Sequence, residues 1–125
     1  KTLAERAEAG ARERGIAVTV TVIDIHGNLV LKHRMGGAPF HSIDLSERKA
    51  YTAAAMGFPT TELVPLVQPG ERLFSMIGAS GGRYVALGGG VPVRQDGMLA
   101  GGLGISGGTT AQDIELAAFA VAASP

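Results

Sequence analysis

Residues 17–24, AVTVTVID, alternate in polarity and are β-branched, which predicts a strand. His26-Gly27-Asn28 supplies turn chemistry, and LVLKHRM (residues 29–35) returns as the hairpin partner. In that second strand Val30, Lys32 and Arg34 share one face, and Leu31, His33 and Met35 the other. Ahead of the hairpin, residues 2–14 read as a helix with Leu3, Ala7 and Ala11 on one side. Thr2 and Glu5 have capping-box spacing, Glu8 and Arg12 are spaced to pair, and Gly15 is a natural stop. Ser42 to Gly57 is a second, alanine-rich helix. Pro59 and Pro65 bound a short helical segment, residues 60–67. Residues 73–77 fit a strand or a helical turn. Residues 84–87, 91–94 and 98–105 read as short strands, the last two joined by Asp96-Gly97, a strong hairpin signal. Residues 109–123 form the closing helix, with Thr109 and Gln112 as its capping box.

The element order is helix, two strands, helices, three strands, helix. A hairpin followed by a meander does not make a doubly wound parallel sheet. The prediction is an α/β (α+β) fold with a five-stranded antiparallel sheet flanked by helices, in one domain spanning residues 1–125.

Composition narrows the function. Apolar residues make up 46% and charged residues 18%, as in a folded globular chain. The formal net charge is zero, which argues against a nucleic-acid footprint. No apolar run reaches the roughly 18 residues of a membrane span. Absence of cysteine excludes disulfides, thiolate catalysis and cysteine-held metal centres. The sequence opens on Lys1 rather than methionine, so an upstream segment is expected to have been removed or to lie outside it. The compartment stays open between cytoplasm and export.

Twelve of the nineteen glycines fall between Gly78 and Gly108, where two motif lookalikes occur. Gly102-x-Gly104-x-x-Gly107 matches the dinucleotide fingerprint, but no further strand follows its helix. Gly104-x-Ser106-x-Gly108 and Gly78-x-Ser80-x-Gly82 match a nucleophile elbow, but all three histidines precede both serines. The bland reading is tight turns and close backbone approach. Glycine within strands also leaves room for a planar ligand or a neighbouring subunit against the sheet. An anion held by Gly104, Ser106, Gly107, Gly108 and Thr109 at the last helix's N-terminus is the alternative use of this segment.

Asp44 and Glu47 put two carboxylates on one face of the second helix, a spacing that can hold a surface cation. The stronger reading is a capping box with Asp44 as N-cap. His26 sits in the hairpin turn, His33 in a strand and His41 in a loop just before a helix. No two have the i, i+4 spacing of a helical metal site. Arg48 and Lys49, beside Tyr51, offer cations to anionic groups, against a bland reading as a solvated helix face.

The ordered set of segments resembles the GlcG/HbpS-like haem-binding family, also found as the C-terminal domain of PduO-type corrinoid adenosyltransferases. The resemblance covers nearly the whole chain. It rests on Asp24-x-x-Gly27-Asn28-Leu29, Arg34-Met35-x-Gly37-Ala38 and Glu47-Arg48-Lys49-Ala50-Tyr51-Thr52-Ala53. It continues through Pro59-Thr60-Thr61-Glu62-Leu63, Gly88-Gly89-Gly90-Val91-Pro92 and Gly104-Ile105-Ser106-Gly107-Gly108 to Asp113. It implies a profilin-like domain, self-assembly into homo-oligomers, and haem binding linked to sensing, breakdown or redox protection. On that reading His41 is the expected axial ligand, with Arg48 and Lys49 toward the propionates. Two alternatives stand beside it. One is an enzyme or accessory domain acting on a small anionic metabolite or corrinoid. The other is a non-catalytic structural or sensory assembly protein.

Overall fold

The computed structural model describes residues 2–122. Helix α1 (Thr2–Glu13) leads into the hairpin β1 (Thr19–Asp24) and β2 (Leu29–Arg34). Helix α2 (Ser42–Met56) follows, then a run of short 3-10 turns, the hairpin β3 (Gly90–Gln95) and β4 (Met98–Ser106), and helix α3 (Thr110–Ala122). The predicted closing helix extended to Ala123, which lies outside the described residues. The sheet order is β2-β1-β4-β3, and every pairing is antiparallel.

The sheet therefore has four strands, not five. Residues 84–87 have no regular secondary structure and join no ladder. The Val85 amide instead donates to Thr52 Oγ1 on α2, at 3.0 Å. The ambiguous residues 73–77 fall largely in a 3-10 segment, Phe74–Gly78. Residues 60–67 form two 3-10 turns, Thr60–Glu62 and Val64–Leu66, divided where proline removes a donor.

Strand alternation splits the molecule into three layers. Val20, Leu103 and Ile105 are fully buried on one face, beneath α1 and α3, with Ala7, Ala11, Leu116, Ala117 and Ala120. On the other face Thr19, Thr21 and Ile23 of β1 register with Ser106, Gly104 and Gly102 of β4. Helix α2 lies across that face through a seam of small residues: Ser42, Ser46, Ala50 and Ala54, each one turn apart. Two buried hydroxyl pairs stitch the seam, Thr19 to Ser42 at 2.7 Å and Thr21 to Ser46 at 2.8 Å.

This packing explains the glycines of β4. A Cβ on Gly102 would fall on the carbonyl oxygen of Ala50, and one on Gly104 on that of Ser46. The space expected to admit a planar ligand or another subunit is filled by the backbone of α2 from the same chain. Helix α2 ends where Gly57 takes a left-handed conformation (φ 77°) and donates to the Ala53 carbonyl.

At its other end α2 starts without a side-chain cap. His41 occupies the cap position, and Asp44 already lies inside the first turn. The Asp44/Glu47 capping box is thus not formed. Asp44 bonds Arg48 at 2.7 Å and Glu47 bonds Lys32 of β2 at 2.7 Å. The expected Glu8–Arg12 pair is also replaced, because Glu8 meets His33 Nδ1 at 2.6 Å. The capping box of α3 forms as predicted. The Thr109 amide donates to Gln112 Oε1 at 2.8 Å, and the Gln112 amide to Thr109 Oγ1 at 3.1 Å.

Candidate functional site

Helix α2 carries its chemistry on the side turned away from the sheet. His41, Asp44, Arg48, Tyr51 and Ala55 follow one another at steps of three, four, three and four residues, so they line one face. All five are exposed or half-buried. Arg48 holds Asp44 through Nε and reaches the Gly82 carbonyl through Nη1.

That second bond draws the loop of residues 79–84 onto α2. Ser80 adopts φ 56°, a left-handed conformation uncommon outside glycine, and Gly81 and Gly82 continue it. The Ser80 hydroxyl pairs with the Tyr51 hydroxyl at 2.8 Å. The Arg83 guanidinium stacks 3.8 Å above the Tyr51 ring, a cation–π contact. The Tyr84 ring packs 5.4 Å from that of Tyr51, tilted by 45°.

Beside Tyr51 a cavity of about 180 Å³ opens between α2 and the β1–β2 turn. Ile25, His26, Gly27, Tyr51, Ala54 and Ala55 line it. Asp24 shapes the turn: its Oδ1 accepts the amides of His26 at 2.8 Å and Asn28 at 2.9 Å. Those two bonds, Asn28's first, hold the Asp24 carboxyl below its ordinary range. The Gly27 amide closes the turn on the Asp24 carbonyl at 3.1 Å. Backbone bonds therefore fix where His26 stands. Among the described residues, no side-chain hydrogen bond engages its imidazole.

A second cavity of similar size has no titratable group in its lining. It lies among Pro59, Thr61, Gly89, Gly90, Val91, Ile114 and Ala118.

The residues singled out from sequence are dispersed. His41 is exposed at the start of α2 and lines neither cavity. His41 and Arg48 share a helix face but stand about 10 Å apart along the axis. Lys49 points the other way, into the interior, so neither the solvated-face reading nor a propionate contact suits it. Its Nζ donates to the Ile105 carbonyl at 2.8 Å and to Asp113 Oδ2 at 3.2 Å. Asp44 and Glu47 are each occupied by a different cation. Among the described residues, no cluster of three or more His, Asp or Glu could hold a metal.

The turn after β4 is tied down by internal bonds. Gly104 and Ser106 are buried, and the Gly108 amide donates to Asp113 Oδ1 at 3.0 Å. The Thr109 amide is taken by Gln112. Two of the amides next to the α3 N-terminus, those of Gly108 and Thr109, are thus engaged internally.

Ser80, Arg83 and Tyr84 escaped the sequence reading as a group. Their signal was a serine held between glycines, which resembles a nucleophile elbow until the fold sets it against Tyr51. Among the described residues, no helix is long and apolar enough to cross a membrane.

A family model described as haem degrading protein, HbpS-like, matches residues 1–122. The corrinoid adenosyltransferase PduO of Salmonella typhimurium is 42% identical over 113 residues, covering 90% of this chain and 34% of that protein. The chain thus spans about a third of the length of this curated relative. A crystal structure of a PduOC:heme complex superposes with a TM-score of 0.92 at 40% identity, covering 97% of this chain and 88% of that one. A crystal structure of a double mutant of Streptomyces reticuli HbpS gives a TM-score of 0.90 at 29% identity, covering 99% and 82% respectively.

Proposed function

Because the chain belongs to the HbpS-like family, we propose that it binds haem on the surface formed by α2, the β1–β2 turn and the loop of residues 79–84. The observation that carries this reading is one cavity lined by an imidazole and a tyrosine ring, His26 and Tyr51, with the Arg83 guanidinium stacked on that ring. A relative with the same fold was crystallised as a heme complex.

The donor set suits the group. An imidazole is a common iron ligand, a guanidinium suits carboxylates, and Ile25, Ala54, Ala55 and Tyr51 offer apolar and aromatic surface to a macrocycle. When bound, haem supplies an iron centre able to take ligands and change redox state. The chain's own part is to bind and orient it. The cavity, at about 180 Å³, is below the roughly 300–1,000 Å³ that encloses a drug-sized ligand. Haem is therefore held at the surface rather than enclosed.

Self-assembly belongs to the same proposal. β2 is an edge strand, and its Leu29 and Val30 are 53% and 61% exposed, with Phe40 nearby in sequence at 82%. Exposed apolar side chains along an unpaired edge favour a second copy of the chain as their cover. The reading as an enzyme for small anionic metabolites has less to rest on, because the Gly108 and Thr109 amides before α3 are already used.

Titration of the purified protein with haemin tests the proposal. A saturable shift of the Soret band at one haem per chain or per chain pair is expected. A purely additive spectrum would overturn it.

A further inference from the structure

We infer that His26, rather than His41 or His33, is the iron ligand, and that Arg83 meets the carboxylates. This inference rests on the haem reading above and assigns its residues.

Three histidines are available, and their surroundings differ. His41 opens α2, while Ala54 and Ala55 of the cavity sit near its far end. Thirteen to fourteen residues of helix separate them by about 20 Å. His41 and the cavity are therefore separate places within one chain. The cation nearest His41 in sequence on that face, Arg48, is engaged by Asp44 and by the Gly82 carbonyl.

His33 has a carboxylate on Nδ1, Glu8 at 2.6 Å, which is common support for a metal-bound imidazole. It nevertheless projects toward α1, on the opposite face of the sheet from α2. Tyr51, Arg83 and the cavity are all on the α2 side.

His26 combines what the other two lack. It lines the cavity, and its backbone is fixed by the Asp24 bonds. Tyr51 forms another wall, with Arg83 stacked on its ring. Arg83 is exposed and has no carboxylate partner among the described residues, so its fork is available to an anion. A carboxylate-bearing planar molecule at this cavity meets the His26 imidazole and the Tyr51 side chain, with the Arg83 guanidinium next to them on the Tyr51 ring.

The test is a haemin titration of the wild-type chain and of His26→Ala, His41→Ala, His33→Ala and Arg83→Gln, read by Soret position and by electron paramagnetic resonance of the ferric form. His26→Ala should weaken binding at least about tenfold and change the iron's spin state, and added imidazole should restore the wild-type spectrum. Arg83→Gln should weaken binding with an unchanged spectrum. His41→Ala and His33→Ala should match wild type. His26 is an exposed turn side chain, and thermal melts of His26→Ala and His26→Gln check that folding is intact. Wild-type binding with an unaltered spectrum and affinity in His26→Ala would overturn this assignment and leave haem binding standing. No binding by wild type would overturn both.

Discussion

Lys49 of α2 and Asp113 of α3 meet inside the protein, Nζ 3.2 Å from Oδ2, each side chain only 4% exposed. Each member of the pair makes a further hydrogen bond. Lys49 also reaches the Ile105 carbonyl, and Asp113 accepts the Gly108 amide. It thereby fastens α2 to the end of β4 and to the turn that launches α3.

Removing one partner should be costly, because the other is left charged and alone. Lys49→Ala or Asp113→Ala is expected to lower unfolding free energy by about 3–5 kcal/mol. The double replacement Lys49→Met with Asp113→Leu should lose much less. Urea denaturation of the four proteins measures this directly, and additivity of the two single losses would contradict it.

The same lysine gives a pH signature. Burial lowers its pKa below the ordinary 10.5, with Asp113 opposing that shift. The unfolded chain then holds this proton more tightly than the folded one. Lys49's contribution to stability is greatest above 10.5 and falls as pH drops through the folded pKa. The stability of wild type relative to Lys49→Met should thus rise as pH climbs toward 10.5. A difference that falls over that interval would reverse the sign of the account.

The α2 seam makes a second prediction. Gly102→Ala and Gly104→Ala place a methyl on helix carbonyls, and the helix must move. A loss of at least about 1–3 kcal/mol is expected for each. Gly78→Ala, where nothing lies within 4 Å, should be nearly neutral. Thermal melts of the three variants separate packing glycines from incidental ones.

Asp24 is a positioning residue on this account. Asp24→Ala frees the amides of His26 and Asn28 and should weaken haemin binding while leaving His26 in the chain. Its lowered pKa means that the folded turn is favoured above the ordinary value of 3.8 and loses that support as pH falls through the folded pKa. Protection of the His26 and Asn28 amides, measured as exchange relative to the intrinsic rate at each pH, should fall from neutral to acid pH in wild type and be already low in Asp24→Ala.

Assembly through the β2 edge is checked by light scattering. Val30→Lys places a charge on the exposed edge and should shift the protein toward monomer. A monomeric wild type would contradict the assembly proposal.

Much of the fold could be read from local pattern. Both hairpins follow from alternation and from turn residues such as Asp96-Gly97, because those signals act between near neighbours. The missing fifth strand marks where that logic stops. Val85 and Leu87 look strand-like, yet the Val85 amide is taken by Thr52, 33 residues earlier. Lys49 was misread for the same reason: its partner Asp113 lies 64 residues away. Asp44 and Glu47 had the spacing of a cap, but the chain enters α2 through the Pro39–His41 turn, with the Ser42 amide donating to the Pro39 carbonyl. That starts the helix early and leaves both carboxylates to cations. Of the site, His26 and Tyr51 were visible singly. Their meeting depends on how α2 crosses the sheet, which the glycines of β4 permit but do not announce.

A crystal structure of the protein soaked with haemin tests the central claim most directly. Haem is expected at the mouth of the Tyr51 cavity, its iron bonded to His26 and a carboxylate facing Arg83. Haem bound elsewhere, or crystals that take up none at saturating haemin, would contradict it.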